Sequence, residues 1–261
     1  EVLQKDGSYL NLSGNQIGAI MAKYILEAHK NAGTLPENAA LCKSIVSTDL
    51  VTKIAESYGA TMFNVLTGFK FIAEKIQEFE EKHNHTYMMG FEESFGYLIK
   101  PFVRDKDAIQ AVLVVAELAA YYRSRGLTLA DGIEEIYKEY GYYAEKTISV
   151  TLSGVDGAEQ IKAIMAKFRN NAPKEWNATE ITVVEDFKAQ TSTAADGTVT
   201  ALTTPPSDVL KYTLADGSWI AVRPSGTEPK IKFYIAVVGE SNEDSQAKIA
   251  NIEDEINAFV K

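Results

Sequence analysis

The sequence predicts an α/β domain, a mixed sheet with helices, followed by an α+β domain with a mainly antiparallel sheet. Three observations point there. Between residue 15 and about residue 140, short apolar runs alternate with stretches of helical periodicity, as in an α/β layer. Near Tyr142 the texture changes to strand-like runs broken by Thr, Gly and Pro. Within that second part KIKFYIAV (230–237) alternates strictly, with Ile231, Phe233, Ile235 and Val237 on one face and Lys230, Lys232 and Tyr234 on the other.

The elements follow in order. EVLQKDGSYLNL reads as a hairpin turning at Asp6-Gly7, its first strand only about four residues long, as expected of a fragment. Ile17, Ile20, Met21, Tyr24 and Ile25 share one face of a helix, with Ser13 or Asn15 as its N-cap. A strand around LCKSIVS (41–47) leads to a helix through Tyr58 capped by Thr48 or Asp49. A strand at 61–66, a helix at about 69–82 and a short strand at 86–90 come next. Helices follow over about 105–125 and 128–140, and AIQAVLVVAELAAYY (108–122) in the first is apolar enough to be expected buried, but too short and polar to span a bilayer. TISVTL (147–152) is a strand and AEQIKAIMAKFRNN (158–171) an amphipathic helix. The stretch 177–208 reads as strands and irregular loops. VLKYTL and SWIAVR flank Asp216-Gly217, a hairpin signal, and 242–260 closes as a helix.

Length and composition narrow the function classes. The chain has 261 residues, is 46% hydrophobic and 24% charged, and carries a formal charge of -10. Such an acidic chain lacks the basic stripe that nucleic acid requires, so any phosphate must be gripped locally. A single cysteine, Cys42, excludes an intramolecular disulfide and a thiolate zinc cluster, which fits a reducing, cytoplasmic setting.

Three stretches carry candidate chemistry. The strand connection RPSGTEPK (223–230) has a planar donor fork in Arg223, hydroxyls in Ser225 and Thr227, and Gly226 where a ligand would meet backbone. Pro224 and Pro229 stiffen its ends, and successive N–H groups in a tight turn form an anion nest. By residue type alone, a polar turn with an exposed arginine is the commoner use of these residues. GFEESFGYL (90–98) places Glu92, Glu93 and Ser94 together on an expected exposed loop. They suit sugar hydroxyls, but adjacent carboxylates do not flank one bond as a glycosidase pair does. An acidic surface loop is the plain alternative. TGFKFI (67–72) puts Lys70 in the first turn of a helix after a strand, where open α/β sheets carry function. RDKD (104–107), with Lys106, reads first as a helix start, and no metal ligand set stands out.

GFEESFG, RDKD and RPSGTEPKIKFYI, in that order, together with DGSYLNLSGNQIGAIMAKYIL and TGFKFI, resemble the α-D-phosphohexomutase superfamily, and within it the phosphoglucomutase/phosphomannomutase branch. Members have four domains around one cleft. The resemblance implies that 1–14 is the end of the preceding, metal-binding domain, 15–145 the third domain with the sugar loop, and 146–261 the fourth with the phosphate loop. It implies that Arg223, Ser225, Gly226 and Thr227, with Lys230 at the loop's end, hold the phosphate that is not being transferred. Glu92 and Ser94 match the residues that bind the sugar 3- and 4-hydroxyls. Glu93, Lys70 and Lys106 match positions near the substrate. The implied activity interconverts hexose 1-phosphate and hexose 6-phosphate, glucose or mannose, through a bisphosphate. The implied cofactors are Mg²⁺ and glucose 1,6-bisphosphate. The implied partners are a sugar phosphate and the N-terminal domains of the same polypeptide, with neither nucleic acid nor membrane. No serine-containing TASHNP-like loop or DxDxDR-like run occurs here, so the fragment is expected to bind sugar phosphate without catalysis. The alternatives are a phosphopentomutase of the same superfamily and a non-catalytic sugar-phosphate-binding module.

Overall fold

A serine fixes where the first long helix begins. Ser13 accepts from Gln16 N while the Gln16 side chain returns to Ser13 N, a capping box that begins α1 (Gly14–Asn31). The computed structural model describes residues 1–152, 156–226 and 228–260. It divides into two compact units, Glu1–Gly141 and Tyr142–Lys261.

The first unit opens with the small hairpin β1 (Val2–Leu3) and β2 (Tyr9–Leu10), turning at Gly7, whose φ of 86° suits glycine. After α1 come β3 (Ala39–Ser44), α2 (Leu50–Ser57), β4 (Thr61–Val65), α3 (Phe69–Lys82), β5 (Thr86–Glu92) and β6 (Gly96–Leu98). The unit ends with α4 (Ala108–Ser124) and α5 (Leu129–Tyr140). The sheet order is β4-β3-β5-β6. β3 runs parallel to β4 and β5, whereas β6 returns antiparallel beside β5, so the sheet is mixed as expected.

Successive residues of β5 serve opposite faces. A Cβ on Gly90 would fall 2.7 Å from Ile72 Cγ2, so α3 lies close on that side. Phe91 points the other way, onto α1, where a Cβ on Gly18 would fall 2.6 Å from the ring. Both glycines are required by close approach. The α3 side is sealed by Ala40, Cys42, Val65, Phe69, Ile72, Ile76 and Phe79. Burial pushes the Cys42 thiol up to about 12, which leaves it inert.

Two expectations need correction. β5 runs on to Glu92 rather than stopping at residue 90, because Gly90, Phe91 and Glu92 pair with Leu98, Tyr97 and Gly96. The apolar helix α4 is not buried: Ala111, Leu118 and Tyr122 face inward, but Ile109, Val112 and Leu113 are 82%, 69% and 69% exposed. Together with Val2 and Leu3, α4 lines an apolar groove of about 1020 Å³. No helix among the described residues is long and apolar enough to cross a membrane.

The second unit comprises β7 (Tyr142–Thr151), α6 (Gly157–Asn171), β8 (Glu175–Trp176), β9 (Thr179–Asp186), β10 (Thr191–Ala194), β11 (Val199–Ala201), β12 (Leu210–Leu214), β13 (Trp219–Pro224), β14 (Lys230–Gly239) and α7 (Asn242–Val260). The sheet order is β11-β10-β9-β12-β13-β14-β7, with β8 against β9, and every pairing is antiparallel. Ile231, Phe233, Ile235 and Val237 pack with Ile161, Met165 and Phe168 of α6 and Ile249, Ile252 and Ile256 of α7, so the alternation read from the sequence marks the core face. Burying a side chain of this size fully is worth roughly 1.5–3 kcal/mol.

Candidate functional site

In the first unit, the turn between β5 and β6 has three residues, Glu93, Ser94 and Phe95. Three-residue hairpin loops commonly end on a left-handed residue, and Phe95 takes that role with φ 65°, although its side chain gains nothing from it. Phe95 and Ser94 are exposed at the tip.

Glu92 differs from its expected setting. It is the last residue of a strand and only 7% exposed, not a carboxylate on a surface loop. Its Oε1 accepts from Gly68 N at 2.7 Å, at the N-cap of α3, where the helix dipole favours negative charge. Gly68 has φ 126°, a conformation that favours glycine. Glu92 Oε2 lies 3.6 Å, and Lys106 Cδ 3.2 Å, from where a Gly96 Cβ would be. Glu92, Lys106 and the start of α3 therefore converge on Gly96.

Lys106 is placed by its neighbours. Asp107 N donates to Tyr97 O at 2.8 Å, tying this segment to β6, and the Asp107 carboxylate caps α4. The Lys106 ammonium is 3.1 Å from Asp105 and lies over the Phe69 ring at 5.6 Å. Lys70 sits exposed in the first turn of α3 with its ammonium 4.8 Å from the Phe71 ring centroid.

Glu93 turns toward the β3–α2 connection, where its carboxylate accepts from Ser44 Oγ at 3.1 Å. Sequence reasoning missed Ser44 and Ser47; the only signal was two serines three apart at the end of a strand. Asn15, considered above as a cap, instead accepts from Thr48 N at 3.0 Å. Asp49 is the N-cap of α2 without a capping bond of its own, and pairs with the buried Lys43 at 2.8 Å.

In the second unit, the 223–230 segment closes the β13–β14 hairpin. Arg223, half-buried, is opposite Lys232, and Ser225 N donates to Lys230 O at 2.7 Å. Pro229 O accepts from Leu152 N at 2.9 Å, fixing the far end. The Lys230 ammonium is 3.2 Å from Glu228, so it starts from an ion pair. Gly226 is exposed, a Cβ there would meet nothing within 4 Å, and its φ lies outside the left-handed region. Among the described residues, neither crowding nor a left-handed φ accounts for this glycine. Thr227 lies outside the described residues.

Residues 13–140 match the α/β/α domain III, and residues 155–258 the C-terminal domain, of the phosphoglucomutase/phosphomannomutase family. The chain belongs to this family. It is 36% identical over 247 residues to a phosphoglucomutase of Staphylococcus haemolyticus, a match covering 94% of this chain and 44% of that protein. A Staphylococcus aureus phosphoglucomutase is 37% identical over 244 residues, covering 93% of this chain and 43% of its own length. The chain thus spans under half the length of these relatives. Parafusin, a phosphoglucomutase from Paramecium, superposes with TM-score 0.66 at 18% identity, over 97% of this chain and 42% of that one. An N-acetylphosphoglucosamine mutase of Aspergillus fumigatus, solved with glucose 1,6-bisphosphate, gives 0.50 at 13% identity, over 98% of this chain and 44% of its own. At these identities the two structures speak to fold alone.

Proposed function

We propose that this chain supplies the sugar- and phosphate-gripping parts of a phosphohexomutase that interconverts hexose 1-phosphate and hexose 6-phosphate through a bisphosphate. The observation that carries the reading is the convergence of Glu92 and Lys106 on Gly96, beside a three-residue loop with Ser94 at its exposed tip. A carboxylate that accepts and a hydroxyl that both donates and accepts can bond a hydroxylated ring in more than one orientation. Lys106 adds positive charge beside that loop, and Lys70 adds it in the first turn of α3.

In the second unit, Arg223, Ser225, Gly226 and Thr227, with Lys230, are proposed to hold a phosphate dianion. The guanidinium offers a paired-donor fork, and the loop is stiffened by proline at 224 and 229. Lys230 would exchange Glu228 for phosphate oxygen.

Mg²⁺ and glucose 1,6-bisphosphate enter as what the family reading implies for the whole enzyme. Among the described residues no group of three His, Cys, Asp or Glu side chains converges to hold a metal. These residues do not fit the ion. A soluble, cytoplasmic setting belongs to the same proposal.

The test is a calorimetric or NMR titration of the 261-residue chain with glucose 6-phosphate. Removing a charge-assisted fork costs roughly 1.5–3 kcal/mol, so Arg223→Ala should bind at least about tenfold more weakly. Unchanged affinity would remove the phosphate assignment.

A further inference from the structure

Glu93 stands between the two proposed sugar contacts, yet it is bonded to two serines of the β3–α2 side of the unit. Its backbone N–H donates to Ser47 Oγ at 3.1 Å, the Ser44 and Ser47 hydroxyls are 2.8 Å apart, and Ser44 Oγ donates to Glu93 Oε2 at 3.1 Å. Ser47 Oγ also lies 3.5 Å from Glu93 Oε2, the longest contact of the set. Each hydroxyl has one proton, and the ordering that follows the shorter contacts to the carboxylate uses every donor once. Glu93 N–H gives to Ser47, Ser47 gives to Ser44, and Ser44 gives to the Glu93 carboxylate. The ring closes on the residue where it began, and bonds in such a chain polarise one another.

The serines are themselves fixed. Lys43, fully buried, donates to Ser47 O at 3.2 Å and pairs with Asp49 at 2.8 Å. The start of α1 also presses on the loop, since a Cβ on Gly14 would fall 2.0 Å from Glu93 O. Phe95, left-handed without the freedom of glycine, means that the loop needs such restraint.

We propose that Glu93 is a positioning residue which, through Ser44 and Ser47, holds the loop 93–95 in the pose that presents Glu92 and Ser94 to the sugar. The inference rests on the proposed function for its purpose, and on the hydrogen-bond ring for its mechanism.

The experiment uses the 261-residue chain in two measurements. In hydrogen exchange without ligand, Glu93→Ala and Ser44→Ala should each speed exchange of the amides at 93–96 by about tenfold or more. Glu93→Gln, which keeps an acceptor for Ser44, should stay within about threefold of wild type, while amides of α3 are unchanged in every variant. In glucose 6-phosphate titrations, Glu93→Ala and Ser44→Ala should each weaken binding about five- to tenfold. The double variant should be no weaker than Glu93→Ala alone, because both changes break one ring. Unchanged exchange in Glu93→Ala, or additive binding losses, would overturn the proposal and return Glu93 to direct contact with the sugar. If Glu93→Ala does not fold, Ser44→Ala and Glu93→Gln carry the exchange comparison. Failure of the wild-type chain to bind glucose 6-phosphate would overturn the proposed function instead, and the exchange measurement would still decide the anchoring.

Discussion

Glu92 shows how one residue's surroundings change what a substitution means. A surface carboxylate could be exchanged with little cost to the fold, but this one is buried and accepts the Gly68 N–H at 2.7 Å. Glu92→Gln keeps an oxygen for that donor and loses the charge. Bonds to charged groups exceed neutral ones by about 1 kcal/mol, so Tm should fall by about 2–4 °C. Glu92→Leu leaves the Gly68 N–H without its acceptor and should cost roughly 2–3 kcal/mol. Thermal melts of the two variants decide the point; equal losses would mean that the bond to α3 is not what the carboxylate contributes. Glucose 6-phosphate affinity should fall in both, and in Glu92→Gln by more than the small change in melting would suggest. Glu92 thus serves the helix through one oxygen and, as proposed, the sugar through the other.

Between elements, α6 is pinned to the sheet by Arg169. Its guanidinium donates to Asp186 at the end of β9 and to Asp208 before β12, each at 2.7 Å. Burial raises the Asp186 pKa, but Arg169 and the N–H groups of Ala189 and Lys188 more than offset it and hold the carboxyl below the ordinary 3.8. A depressed carboxylate contributes stability above its unfolded pKa and loses it as pH falls through the folded one. Asp186→Asn should therefore cost about 1–2 kcal/mol at pH 7, and the gap to wild type should close as pH falls below about 4. Urea melts at pH 7, 5 and 3.5 measure it, and a pH-independent gap would point to packing instead. The Arg169 pin could not be read from the sequence, because its partners lie 17 and 39 residues away. What was legible is local: the alternation of 230–237, the cap Ser13, and the Asp-Gly turns each signal within a few residues. The end of β5 was not, since Gly90 and two glutamates resemble a loop until pairing with β6 is known. Likewise Gly14 and the Ser44–Ser47 ring matter only through tertiary approach, while the exposed side of α4 looks, by composition, like core.

At the scale of the whole molecule, charge and extent set what this chain can do alone. A formal charge of -10 opposes any anion at long range, so the phosphate grip proposed above has to come from local donors within a unit, as Arg223 and Lys230 are in the second. Holding is not transfer. Phosphoryl transfer needs a donor or nucleophile and neutralisation of charge on the moving group, supplied in most enzymes by metal ions. The resemblance implies that a serine carrying the phosphoryl group and a metal-holding loop would lie in domains other than III and IV. Neither a TASHNP-like nor a DxDxDR-like run occurs in the sequence. The 261-residue chain spans 44% and 43% of the two staphylococcal relatives. It should therefore bind glucose 6-phosphate weakly and sustain no mutase turnover by itself. The check is a coupled assay for glucose 6-phosphate formed from glucose 1-phosphate, with Mg²⁺ and glucose 1,6-bisphosphate supplied. Background rate is the expected result, with binding retained in the titration. Sustained turnover abolished by Arg223→Ala would show that these residues hold a complete catalytic centre, and the division between gripping and transferring parts would have to be abandoned.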